Sequence, residues 1–268
     1  MVGGLKLSLC TRFKDRLSHL SQTLPTWVKI SEIDEFIITD YNSQKDNVIP
    51  LLRSINDKRV VLLRVPNVQG FDRGKCHNIG ISHAQGDIIL NVDGDIFFSP
   101  LILGIIKPED KDHKFHTIGE QTKPRIGCYG TCIFFKNMWK AVNGYVEGFN
   151  SWGYEDTNFY ARLVRAGYRR IPDITSLKHI THGDELRFQH HDYRRKDSTR
   201  MQATLRAVPK IMQIHTYHTI GYGTWFRKSV EISRQIPKES FLTPTEFSLK
   251  RTRPVLRSDY LTPESELR

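Results

Sequence analysis

The sequence predicts an α/β protein with a mixed, mostly parallel central sheet flanked by helices. Two observations lead there: short apolar runs alternate with longer segments of helical periodicity through the first hundred residues, and acidic residues close several of the apolar runs. Leu5 to Cys10 reads as the first strand. Asp15 to Val28 carries Leu17, Leu20 and Leu24 at helical spacing, and Pro25 is expected to end that helix early. Phe36 to Thr39 reads as a second strand, Val48 to Ile55 as a helix, and Val60 to Val65 as a third strand. Lys75 to Ala84 is a helix and Ile88 to Val92 a buried strand. Ligands of such sheets sit beyond the carboxyl ends of the strands, where Thr11, Arg12, Asp40, Asp93 and Asp95 fall. Further on, Asp110 to Lys123 is polar and expected to be a loop. Gly127 to Phe135 reads as a strand and Thr157 to Arg165 as a helix stopped by Gly167.

Composition narrows the class. The 268 residues carry 40 Lys plus Arg against 29 Asp plus Glu, a net charge of +11, and 38% are hydrophobic, which suits a folded chain rather than a disordered one. No apolar run approaches the roughly 20 residues that cross a bilayer, and the start lacks the pattern of a secretion signal. Cys10, Cys76, Cys128 and Cys132 form no paired CxxC knuckle, so a reduced, cytoplasmic protein is expected. Seven Lys or Arg between residues 187 and 210 concentrate the excess charge; a solvated surface is the first reading of this stretch, and peripheral contact with an anionic membrane or an acidic polysaccharide the second. Residues 237–268 hold four prolines and few large apolar residues, as expected of a flexible or loosely docked tail. The organisation read from this is one domain over 1–236, in halves of 1–98 and 99–236, followed by the tail.

Three clusters carry chemistry. Asn91-Val92-Asp93-Gly94-Asp95 puts two carboxylates two apart after a buried strand, a spacing that suits a hard divalent cation and also an ordinary Asp-Gly turn. Phe149-Asn150-Ser151-Trp152-Gly153-Tyr154-Glu155-Asp156 puts two acids behind an aromatic loop at a helix start. They could supply a general base beside a sugar-stacking ring, or simply cap the helix. Lys178-His179-Ile180-Thr181-His182 spaces two imidazoles to face one ion, in a chain with 11 His where chance pairs occur.

In order, these segments resemble a known family. From Leu5 to about Glu231 the chain looks like a GT-A fold (Rossmann-like) glycosyltransferase: its first half is similar to family 2 enzymes and its second to the β-1,4-galactosyltransferase group. The resemblance rests on LCTRFKDRLSHLSQTLPTWV, on FDRGKCHNIGISHAQGDIILNVDGD and on VNGYVEGFNSWGYED. It implies nucleotide-sugar contacts at Thr11, Arg12, Asp40, Arg73, Lys75, Asn78 and Asp93, and metal ligation by Asp95, His182 and His179. It further implies acceptor binding by Trp152 and Glu155, and Asp156 as catalytic base. Three departures stand out. His179 occupies a position that is often Met, Thr157 replaces the third acid of an EDD run, and Gly127 replaces an aromatic residue that restricts the donor.

The resemblance implies inverting transfer of galactose, GalNAc, GlcNAc or a related sugar from a UDP-sugar to a hydroxyl of a glycan acceptor, with Mn²⁺ as cofactor and Mg²⁺ as second candidate. A nucleic-acid binder and a nucleotidyltransferase are the competing readings. The basic stretch lacks regularly interleaved aromatics and carries no recognised binding motif, and the Trp152 to Asp156 loop argues against the nucleotidyltransferase, so no nucleic-acid partner is expected.

Overall fold

The structure is a computed structural model that describes residues 1–68, 70–119, 128–145, 147, 155–183, 185–186 and 189–190, together with the backbone of 232–233. Gly127, Trp152, the tail 237–268 and most of the basic stretch 187–210 lie outside these residues.

Among the described residues, eight strands form one sheet in the order β10-β3-β2-β1-β4-β7-β6-β8. The strands are β1 (Leu7–Phe13), β2 (Glu35–Asp40), β3 (Val60–Arg64), β4 (Ile88–Asn91), β6 (Lys114–Ile118), β7 (Cys132–Phe135), β8 (Arg169–Ile174) and β10 (Ile232–Ser233). Four pairings are parallel (β1 with β2 and β4, β2 with β3, β6 with β8). Three are antiparallel (β4 with β7, β6 with β7, β10 with β3). A second ladder joins β5 (Ile96–Phe98) to β9 (Leu177–His179). The flanking helices are α1 (Leu17–Trp27), α2 (Ile49–Ile55), α3 (Arg73–His83), α4 (Lys136–Ala141) and α5 (Glu155–Arg165).

β1 is buried along its whole length, as expected of a central parallel strand covered on both faces. It runs three residues beyond Cys10, so Thr11 and Arg12 lie within the strand, paired with Ile38 and Thr39. α3 packs closely on this layer because Gly80 has no side chain: a Cβ there would stand 2.8 Å from Thr39 Oγ1. Asp72 starts α3 by accepting from the Lys75 amide at 2.9 Å, which aims Arg73 and His77, one turn apart, at the sheet's carboxyl edge.

Two expectations are corrected. Pro25 does not end α1, which continues to Trp27: the fully buried Trp27 donates from Nε1 to the Ile96 carbonyl at 3.0 Å and fixes the last turn. Residues 110–123 are not all loop, since Lys114–Ile118 is a strand. His116 disguised it as polar, but its imidazole is buried against Asp173 at 2.9 Å, while Phe115 and Thr117 face the core.

No helix among the described residues is long and apolar enough to cross a membrane. All four cysteines are buried and unpaired.

Candidate active site

Asp93-Gly94-Asp95 lies in the connection between β4 and β5, with a turn at Gly94 and Asp95. β5 pairs with β9 so that Ile96 is opposite His179, and the Ile180 amide donates to the Asp95 carbonyl at 2.9 Å. This short ladder brings residues more than eighty positions apart to one point. Asp95 Oδ2 lies 3.4 Å from His179 Nε2 and 3.3 Å from His182 Nε2. The three ligand atoms fall within 4.8 Å of one another. Burial by itself would raise the Asp95 carboxyl. The two imidazoles, together with Arg16 at 3.7 Å, outweigh it and hold the acid far below its usual range.

The same site passes a chemical test for a divalent ion. Asp95 Oδ1 is buried without a hydrogen-bond partner among the described residues, and such a lone acceptor is costly unless something binds it. One carboxylate with two imidazoles is a donor set that Mn²⁺ and Zn²⁺ accept. Arg16 and His19 complete the surroundings. Arg16 approaches His182 Nε2 at 3.2 Å and donates to the Leu186 carbonyl, and the His19 ring stacks on His182 at 5.3 Å.

A second centre sits deeper, at the start of α5. Arg12 pairs with Asp93 at 2.5 Å and reaches Glu155 at 3.9 Å; Arg73 pairs with Glu155 at 2.6 Å and reaches Asp93 at 3.6 Å. Burial works against the Arg12 charge, but Asp93, Asp156 and Glu155 more than offset it and raise its pKa. Two guanidinium groups are thus balanced by two carboxylates before Asp156 is counted. Asp156 is therefore pushed up to about 8, first by burial and then by Glu155, against the smaller pull of Arg12 and Arg73. His77, Glu155 and Asp156 also cluster closely enough for an ion, yet the positive charge there already comes from the two arginines.

An aromatic stack carries α5 to this position. His77 lies on Tyr145 and Tyr145 on Phe159, each with ring centroids 4.1 Å apart. On the other side Gly130 leaves room: a Cβ there would stand 3.0 Å from Asp156 Oδ2 and 3.3 Å from an Arg12 nitrogen.

The remaining sequence-predicted residues divide. Thr11 is beside the turn, its hydroxyl buried without a hydrogen-bond partner among the described residues. Asp40 ends β2, accepting from the Ser43 amide at 2.9 Å and pairing with Arg64 at 3.2 Å; burial raises its pKa, and Ser43 and Arg64 pull it back in part. Lys75 is in the first turn of α3. Asn78 points elsewhere. Its Nδ2 donates to the Tyr145 carbonyl and Glu147, both at 2.8 Å, and its Oδ1 accepts from Trp139 at 3.0 Å and from the Tyr145 amide at 2.7 Å. All its hydrogen-bonding capacity is spent holding the loop after α4. His77, Arg16 and His19 were not identified from sequence, and Tyr145 was part of the segment VNGYVEGFNSWGYED without a role of its own. The one available signal was helical spacing, since His77 follows Arg73 by four residues.

Comparison with known proteins agrees with this geometry. Residues 10–107 match the family model described as glycosyltransferase like family 2, and residues 116–191 match the one described as N-terminal domain of galactosyltransferase. No curated protein matches the chain. Among solved structures, the mannosyltransferase PcManGT of Pyrobaculum calidifontis, in complex with GDP-Man and Mn²⁺, superposes with a TM-score of 0.55 at 14% identity, covering 69% of this chain and 61% of that one. TarS of S. aureus in complex with UDP-GlcNAc gives 0.53 at 14% identity, covering 66% and 59%. This chain therefore spans about three fifths of the length of each. The superpositions show that the chain has the fold of the GT-A glycosyltransferases, and within it residues 10–107 are similar to family 2 and residues 116–191 to the galactosyltransferase domain.

Proposed function

We propose that the protein is a metal-dependent inverting glycosyltransferase that moves a hexosyl or N-acetylhexosaminyl group from a UDP-sugar to a hydroxyl of a glycan acceptor. The observation that carries this reading is the pair of centres on one sheet edge. One is an ion cradle of Asp95, His179 and His182; the other is a buried carboxylate, Asp156, pushed up by burial and by Glu155. The structural relatives were obtained with GDP-Man and Mn²⁺ and with UDP-GlcNAc, which supports a nucleotide-sugar donor.

Asp95, His179 and His182 would hold the ion, which when bound would supply positive charge against the departing diphosphate. Asp156 accepts the proton of the acceptor hydroxyl as its oxygen bonds to the anomeric carbon, and the bond from that carbon to the phosphate oxygen breaks with its electron pair. Arg12 and Arg73 hold Asp93 and Glu155 in fixed positions on either side of this event. Thr11, Asp40 and Lys75 belong to the nucleotide side in this reading, and Trp152 and Glu155 to the acceptor side. Gly127 in place of an aromatic residue favours a donor with room for an N-acetyl group.

The test is release of UDP from a panel of UDP-sugars with Mn²⁺ present. Turnover of one donor that is abolished by chelator and by Asp95→Ala supports the proposal. Release that persists in both conditions, or no release from any nucleotide sugar, rejects it.

A further inference from the structure

Two acceptors meet in the ion cradle, and Arg16 stands beside both. His182 Nδ1 lies 3.1 Å from the Gly183 carbonyl, which can only accept, and His182 Nε2 lies 3.2 Å from Arg16 Nη1, which can only donate. Both contacts are satisfied when Nδ1 bears the hydrogen and Nε2 keeps its lone pair. The other tautomer would oppose Gly183 and Arg16 together, and an imidazolium would set a second positive charge against the guanidinium. The Nε2 lone pair is then 3.3 Å from Asp95 Oδ2, with no hydrogen between them. Such a pair holds only beside a positive group. Arg16 Nη1, 3.7 Å from Asp95 Oδ2, supplies it, while Arg16 Nη2 donates to the Leu186 carbonyl four residues beyond His182. The main chain fixes the origin of this arm, because the Arg16 carbonyl accepts from the His19 and Leu20 amides at 3.1 and 3.3 Å where α1 begins. The substitution is incomplete. At 3.7 Å the carboxylate is beyond hydrogen-bond reach, and Asp95 Oδ1 stays without a hydrogen-bond partner among the described residues.

Resting on the reading of Asp95, His179 and His182 as an ion cradle, we infer that Arg16 is its resident counter-cation, a positioning residue that holds the ligand atoms together before an ion enters and competes with the ion for them. No covalent bond changes. Arg16 gives up Asp95 and His182 to a divalent ion and keeps the Leu186 carbonyl, so its side chain stays tethered to the segment that carries the histidines. Two effects of opposite sign come from this. Without the guanidinium the unloaded cradle is less stable, because a carboxylate and an imidazole lone pair face each other uncompensated. Without it a divalent ion is also held more tightly, because the ion no longer approaches a charge of its own sign. A residue that only tied the chain together through Leu186 would produce the first effect and not the second.

The test is Mn²⁺ binding by calorimetry, with melting temperature in chelator and in Mn²⁺, on the full chain as native protein, Arg16→Gln and Arg16→Lys. Gln keeps a donor for the Leu186 carbonyl without the charge, and Lys keeps the charge without the fork. Heat that persists in Asp95→Ala is subtracted as binding elsewhere. Arg16→Gln is expected to bind Mn²⁺ about tenfold or more tighter than the native protein. Its Tm should be lower in chelator and its rise on adding Mn²⁺ larger, with Arg16→Lys close to native in both respects. Mn²⁺ affinity that is unchanged or weaker in Arg16→Gln overturns the inference and leaves the ion cradle standing. So does Arg16→Lys binding as tightly as Arg16→Gln, since the charge would then not be the cause. Absence of Mn²⁺ binding in the native protein and in both variants rejects the cradle and the inference together. No nucleotide sugar is present in these measurements, so they decide the role of Arg16 whether or not the protein is a transferase.

Discussion

Asp156 is a single carboxylate whose two readings separate cleanly in one variant. As a base it should tolerate Asn in volume and in UDP affinity, yet lose transfer by roughly 10²- to 10⁴-fold. As a mere helix cap it should leave transfer and melting temperature near native, because Asn caps as well as Asp. Measuring kcat, UDP affinity and Tm on Asp156→Asn distinguishes the two, and near-native transfer would remove it as the base. Gly130 gives a companion experiment from the opposite wall. Adding a Cβ 3.0 Å from Asp156 Oδ2 forces the carboxylate to shift by a few tenths of an ångström, so Gly130→Ala is expected to lower transfer while UDP still binds. Unchanged kcat would mean that the position of Asp156 is not critical.

At the level of elements, the loop after α4 depends on Gly144. Its φ of +74° is a region that side chains avoid, and a Cβ would stand 2.5 Å from Asn78 Oδ1 and 2.8 Å from Trp139 Nε1. Gly144→Ala should therefore cost about 2 kcal/mol or more, combining backbone strain with disruption of the Asn78 bonds. Chemical denaturation measures it, and a loss below about 0.5 kcal/mol would show that the Asn78 hub rearranges freely. The elements of the first half were legible because β1, β2, β3 and β4 are apolar runs of ordinary strand length, punctuated by helices with clear periodicity. β9 was not legible: three residues, Leu177–His179, give too short a run for any alternation to register, and its pairing with β5 is a contact across some eighty residues. The HxxH pattern suggested an ion, but only that ladder brings His179 to Asp95. The roles of Asn78 and His77 were equally hidden. Both lie on one helix that sequence reading treats as a whole, and which side chain turns inward to a loop and which toward Asp156 depends on α5 and the loop after α4.

Across the whole molecule, two partly or fully enclosed acids set an unusual pH dependence. Glu147 and Asp156 are both pushed up to about 8, by burial first and then by Asp72 in the one case and Glu155 in the other. Between pH 7 and 8 the unfolded chain has already released these protons while the folded protein still holds them, so stability falls as pH rises. The expected loss is about 1 kcal/mol per group over that interval. His77 and His190, whose pKa values are depressed, act in the opposite sense only at lower pH, where the unfolded histidines become charged. Urea denaturation at the two pH values should show the decline, and Glu147→Gln should remove about half of it; a flat profile would mean that these carboxyls ionise freely in the folded state. The join at β4 and β7 has its own consequence. Each centre draws its members from both sides of that antiparallel seam: Asp95 from one and the two histidines from the other, Arg12 and Arg73 from one and Glu155 from the other. The site is in this sense a clasp between two segments that match different family models, and whatever closes it also resists their separation. Loading with Mn²⁺ and UDP should then raise Tm in proportion to the logarithm of ligand concentration, an effect that His182→Ala would abolish by opening the clasp on one side.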